Sequence, residues 1–410
     1  MTCADEQMKR HSGRTLAVIP SDPLEAWERA GYISWLPGYF NPAGMFDHVY
    51  VVSPQEPIGT REAHEMTVVG APRERFAETL REIAPDAIRA YNGDWAADLL
   101  AHSRPRDIPA LASVHNIPPN PTHESLRCMD TVICISEIVR DVALDLGVRQ
   151  ERTRMVPNRV DTGVFHPITD DGALREIEER FPAGKHVLFV GRKTEQKNLS
   201  ALLQAIALLP ADYHAILVGQ GDEETYMAEA GALGIGERCH WIARVPNAEL
   251  PRWYSWCDCF CVPSLWEGFG IVFIEAAACG APIITSDIAP MNEYLVDDES
   301  ACLVEEYEDP AALSEAIRRT CEEKDYRERL SEGALAVSRE FDRGHVEAIE
   351  AAVYEEALEM APPDDERWEE IVRWRRRDRV LRPLRRLTPG RVLGGLVRRG
   401  RSALGRMAPG

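Results

Sequence analysis

The chain has 410 residues, of which 45% are hydrophobic and 28% charged, with a formal net charge of −20. That length exceeds what one hydrophobic core usually serves and predicts two domains of ordinary size, while the absence of any run of eighteen apolar residues argues against a membrane-spanning helix. The charge is uneven: residues 373–410 hold thirteen Arg against one acid, Asp378, so the rest of the chain carries −32, a field that argues against nonspecific nucleic-acid binding by that part.

In chain order, the first fourteen residues are charged and lack an apolar signal segment, so a cytoplasmic location is expected. Apolar runs at 16–19, 49–52, 87–90, 110–114 and 132–135, mostly separated by helical stretches, predict a doubly wound parallel sheet ending near Val156. Residues 20–48 bring Trp27, Tyr32, Trp35, Tyr39 and Phe40; core packing is the first reading and an acceptor platform the second. A second set of strands follows at 187–190, 215–218, 240–242, 259–262 and 283–285, with helices over 198–208 and 222–233. Two similar sheets joined near 161–167 imply a cleft. Cys257, Cys259 and Cys261 alternate along a strand boundary and read as small buried thiols, since no second pair of ligands has zinc spacing. Beyond Asp309 the pattern is helical.

The segment with the most chemistry lies between Pro263 and Glu275. Glu267 stands in the loop after the strand at 259–262, and a helix is predicted over 271–279. The amides of Gly268, Phe269 and Gly270 precede or open that helix, lack intrahelical partners and can donate to a ligand. Glu275 lies more than one turn into a helix whose neighbours are apolar nearly all round, and a buried carboxylate needs partners. Two carboxylates at two depths suit two diols.

This segment resembles the donor-site motif of family 4 retaining glycosyltransferases. Val190-Gly191-Arg192-Lys193-Thr194-Glu195-Gln196-Lys197-Asn198 is similar to the family's phosphate loop, and Val156-Pro157-Asn158-Arg159-Val160-Asp161 to its interdomain linker, with Arg159 where Gly is usual. The resemblance implies an α/β fold of GT-B architecture, two doubly wound Rossmann-like domains facing a cleft with a C-terminal crossover helix. Its parts would be an acceptor-side domain over 1–160, a donor domain over 161–343, a helix over 344–362 returning to the first domain, and a basic tail over 363–410.

The same resemblance implies sugar transfer from a nucleotide-diphosphate sugar to a glycan, lipid or small-molecule acceptor, as in polysaccharide assembly. Anomeric configuration would be retained by a front-face route. Arg192 and Lys197 would meet the leaving diphosphate with Gly191 beside them, and Asn198 would cap the following helix. Glu267 would hold the donor sugar, backbone amides at Phe269, Gly270 and Ile271 would assist, Glu275 would bind the ribose, and Val245 would lie against the base. His115 would contact the donor sugar near its anomeric centre and help position the acceptor. No metal or other cofactor is expected, since no Asp-x-Asp pair occurs. A sugar-nucleotide epimerase and a noncatalytic glycan-binding scaffold are the competing readings. In the tail, apolar residues interleaved with Arg suit an anionic membrane surface at the inner face, a disordered basic tail suits the same composition, and Pro383 and Pro389 should interrupt any long helix.

Overall fold

The computed structural model describes residues 13–31, 33 and 35–385. Eight strands form the first sheet: β1 (Thr15–Ile19), β2 (His48–Ser53), β3 (Gly59–Ala63), β4 (Met66–Gly70), β5 (Ala87–Ala90), β6 (Ala110–Val114), β7 (Thr131–Cys134) and β8 (Thr153–Met155). Their order is β3-β4-β2-β1-β5-β6-β7-β8, parallel except where β3 meets β4. Every residue of β1, β5, β6 and β7 is buried. Parallel strands covered on both faces read as unbroken apolar runs, which is why they were legible. The β3–β4 hairpin and the three-residue β8 were not anticipated: β3 is polar and largely exposed, and β8 is too short to show a period.

The second sheet is wholly parallel and holds β9 (Lys185–Val190), β10 (Tyr213–Val218), β11 (Cys239–Ile242), β12 (Cys259–Val262), β13 (Ile283–Ser286) and β14 (Cys302–Val304). Its order is β11-β10-β9-β12-β13-β14, so the winding reverses between β9 and β12. In open parallel sheets that reversal leaves a crevice at the carboxyl ends of the strands, where ligands bind. Cys257, Cys259 and Cys261 are buried free thiols.

Two chain crossings join the sheets. Val160 donates its amide to Phe341 O at 2.9 Å and accepts from the Arg343 amide at 2.8 Å, so the outgoing and returning segments are bonded to each other. The helix Arg343–Glu359 then packs Val346, Val353, Tyr354 and Ala357 into the core that contains Leu16, Val18, Phe40 and Tyr91. The aromatics of residues 20–48 are mainly core: Phe40 is buried, Trp27 packs on the core, and Trp35 stacks on Tyr39 at 4.3 Å. Tyr32 lies outside the described residues.

Both sheets belong to one compact unit ending at Met360, and a second unit begins at Ala361. In the latter, one helix runs from Asp365 to Arg385. Pro383 was expected to interrupt it and does not. Its missing amide removes one backbone hydrogen bond from the helix. Residues 386–410, with Pro389 and the remaining tail Arg residues, lie outside the described residues. No helix among the described residues is long and apolar enough to cross a membrane.

Candidate active site

Both loops singled out from sequence leave the sheet at its point of reversal, one after β9 and one after β12. After β9 the chain passes Gly191 and exposed Arg192, whose Nη2 reaches Gln196 Oε1 at 3.5 Å. A short 3-10 turn, Glu195–Lys197, then aims Lys197 inward. Its Nζ donates to Glu267 Oε1 at 2.5 Å, and the two residues are only 8% and 5% exposed. Ser264 Oγ donates to the same carboxylate oxygen at 2.9 Å, while Gln196 Nε2 donates to Trp266 O at 2.9 Å. The Leu265 amide donates to Gln196 O at 2.8 Å, tying the two loops together. Lys197 and Glu267, assigned from sequence to phosphate and sugar respectively, are thus one buried ion pair.

The neighbouring Lys193 is different. It is fully buried and donates to Gly219 O and, at 2.7 Å, to Glu223 Oε2, which fastens the ends of β9 and β10. Asn198 was expected to cap the next helix through its side chain. Instead its backbone is left-handed (φ 51°) and Nδ2 donates to Tyr307 O at 3.1 Å, so the first turn of Leu199–Leu208 has no side-chain cap from it.

After β12, Gly270 takes φ 81° and starts the helix Ile271–Ala278. A β-carbon is disfavoured in that left-handed region. Phe269 is buried between Tyr294 and Phe341, and Tyr294 donates its hydroxyl to Phe269 O at 2.9 Å. Glu275 is 8% exposed, and Tyr254 donates to its Oε2 at 3.2 Å. Burial raises the Glu275 carboxyl to about 7, against the opposing pull of that hydrogen bond.

A cleft of about 780 Å³ runs along this edge, lined by Gly191, Arg192, Val245, Ile271 and Glu275. Its opposite wall includes Ala26, Arg29 and Gly31 from the first sheet's side. Sequence reading missed that wall, because the segment after β1 has no glycine pair to mark it. It also missed Ser264, Tyr254 and Glu293, whose roles depend on partners elsewhere in the chain.

His115, at the end of β6, meets the Pro263–Glu275 segment through its backbone: a Cβ on Gly268 would fall 2.3 Å from the His115 carbonyl oxygen, so only glycine fits. Ser136 Oγ donates to Gly268 O at 2.6 Å, and Glu293 accepts from the amides of Glu137 and Ile138 at 2.9 and 3.1 Å. Burial, reinforced by the Arg89 charge, lowers His115 to about 4, so its ring is neutral near pH 7. The structure therefore gathers Lys197, Glu267, Gly268 and His115 in one contiguous run. Gly191, Arg192, Val245, Ile271 and Glu275 line the cleft beside it.

Comparison with known proteins follows the same division. The model for glycosyltransferase family 4 matches residues 34–164, and that for glycosyl transferases group 1 matches residues 170–336. D-inositol 3-phosphate glycosyltransferase of Xylanimonas cellulosilytica is 30% identical over 55% of this chain and 56% of its own length. Phosphatidyl-myo-inositol mannosyltransferase of Mycobacterium leprae is 36% identical over 42% of this chain and 46% of its own. The match thus spans about half the length of these curated relatives. Among solved structures, Anabaena HepE in complex with UDP and glucose aligns with a TM-score of 0.68 at 19% identity, covering 85% of this chain and 100% of that one. Sucrose-phosphate synthase from Thermosynechococcus elongatus aligns at 0.65 and 20%, covering 84% and 98%. With the two-sheet architecture and its cleft, these matches place the chain in the family 4, group 1 glycosyltransferases, on the GT-B fold.

Proposed function

We propose that the protein is a retaining glycosyltransferase that uses a nucleotide-diphosphate sugar and needs no metal. The observation that carries the proposal is the meeting, at the reversal of the second sheet, of a cleft holding Arg192 and Glu275 with the buried Lys197–Glu267 pair. A volume near 780 Å³ lies within the range of small-molecule sites. Binding of UDP and glucose by HepE supports the donor class.

In this reading Glu275 accepts the ribose hydroxyls and Val245 borders the base. Arg192, Lys197 and the amides at the start of the Ile271–Ala278 helix meet the diphosphate as its charge grows. Lys197 would then be shared between Glu267 and phosphate, leaving Glu267 oxygens to hold the sugar. The bond from anomeric carbon to diphosphate oxygen breaks, the acceptor oxygen bonds to the same face, and the acceptor proton passes to the leaving phosphate oxygen. The products are a nucleoside diphosphate and an α-configured glycoside if the donor is α-linked. Neutral His115 helps position the acceptor.

A thermal-shift panel of nucleoside diphosphates and their sugar conjugates, without added metal, tests the donor site by mass action. One base should stabilise the protein selectively. NMR of the product should then show the donor's anomeric configuration. Folded protein that responds to none of the nucleotides would defeat the proposal, and an inverted product would defeat the retaining mechanism alone.

A further inference from the structure

We infer that a second, smaller cavity beside the donor cleft is built to seat an oxyanion carried by the acceptor, a carboxylate or a phosphate. The word acceptor rests on the donor reading above; the anion site rests on its own residues. The cavity encloses about 60 Å³ and is lined by Arg89, His115, Asn158, Arg159 and Glu350, and it shares Ile271 with the donor cleft.

Arg89 and Arg159 are 2% and 8% exposed, and each donates a terminal nitrogen to a different oxygen of Glu350. Burial opposes ionisation of Glu350, yet the two guanidiniums hold its carboxyl below the usual value. Even so, the Nε atoms of both arginines and Nε2 of His115 are buried without a hydrogen-bond partner. Glu347 Oε1 stands 3.9 Å from Arg159 Nε, beyond hydrogen-bonding reach, and accepts from Arg343 Nε at 2.8 Å.

Buried polar nitrogens left unmatched are rare and costly, and three on residues that line one small cavity call for a shared partner. Guanidinium nitrogens only donate, so that partner must accept. Glu350 and the more distant Glu347 offset the charge of the two arginines, but guanidinium donors bond an ionised acceptor more strongly than a hydroxyl or carbonyl, which favours an anion. Size narrows the choice further. A water needs about 10–15 Å³ on this measure, so the space takes one oxyanion group and not a sugar ring. The linker supplies Arg159 at the position where the resembling motif has Gly, which makes the second cation a feature of this chain. Ile271 separates the cavity from the cleft, so an acceptor anchored here would present a hydroxyl toward the donor.

For the test, the full chain is saturated with the nucleoside diphosphate that stabilises it, so that the donor site is filled. It is then titrated by calorimetry with inorganic phosphate and, separately, with acetate. At least one anion should bind, the two arms telling phosphate from carboxylate. Arg159→Gly should weaken that binding at least about tenfold while nucleotide affinity stays within about twofold. Because Arg159→Gly leaves Glu350 on Arg89 alone, its melting is followed and Arg159→Lys, which keeps the charge but lacks the Nε donor, is run beside it. In unmodified protein the side-chain 15N signal of His115 should move during the same titration. Failure of both anions to bind, or equal binding to Arg159→Gly with an unmoved His115 signal, overturns the inference. Failure of every nucleotide to bind would instead count against the donor reading. The His115 signal, followed with anion alone, would then decide for or against the anion site.

Discussion

Glu275 carries the clearest conflict between stability and function. Its carboxyl sits near 7 because burial disfavours the charge, whereas the ordinary value is 4.5. Between those values the folded chain keeps a proton that the unfolded chain releases, so stability of the free protein falls as pH rises from about 4.5 to 7. The window corresponds to about 3 kcal/mol, and Glu275→Gln should recover much of it, seen as a higher melting temperature at pH 8. Ribose hydroxyls need an accepting carboxylate, so the same variant should bind the nucleotide at least about tenfold more weakly. Wild-type affinity should drop as pH falls through 7, with Glu275→Gln lacking that component. Lys197 poses a different test. Lys197→Ala should lower turnover at least about 10²-fold, and it also strands a buried carboxylate at a cost of about 3–5 kcal/mol. Pairing Lys197→Met with Glu267→Gln should restore melting without restoring turnover, which separates the chemistry from the fold.

At the level of elements, the helix Glu137–Asp145 shows how the two halves are held in register. Two amides of its first turn point at Glu293, a residue of the other sheet's side, and Ser136 just before it holds Gly268. A carboxylate at a helix start answers both the unpaired amides and the dipole, worth about 1 kcal/mol. Glu293→Ala should therefore lower the melting point modestly and speed nucleotide release in stopped-flow, by loosening the cleft. Unchanged release would mean that the contact does not govern closure. Gly268→Ala should act more severely, since the new Cβ meets the backbone carbonyl of His115 and cannot be relieved by a rotamer change. A turnover loss of about tenfold or more is expected in donor assays.

For the molecule as a whole, the described residues cross between the sheets at Val160 and at Phe341–Arg343, and these crossings are bonded to each other, so a hinge there would close the cleft. Donor binding should reduce the radius of gyration measured by solution scattering. The second unit bears on location. Its helix begins with Asp365 and Glu366 and turns Arg-rich from Arg373. Clustered Arg residues gain about 1 kcal/mol each near an anionic surface, so removing residues 373–410 should weaken binding to phosphatidylglycerol vesicles and leave nucleotide affinity unchanged. Vesicle binding equal to that of the full chain would rule out the tail as a membrane anchor.

The alternation of buried strands and helices was legible from residue order alone, as were the loops after β9 and β12, because apolar periodicity and glycine-rich turns are local properties. So was the burial of Glu275, from the apolar residues around it on one helix. Other features belong to packing between distant segments. Lys193 and Lys197 are the same residue type four positions apart, yet one fastens two strands and the other meets the loop after β12, and only the approach of Glu223 and Glu267 distinguishes them. Arg89, Arg159 and Glu350 come from a strand, a linker and the returning helix; their shared cavity exists because the chain crosses back over the first sheet. Local pattern encodes which elements form, while the meeting of side chains such as Arg89 and Glu350, 261 residues apart, is decided by how those elements pack.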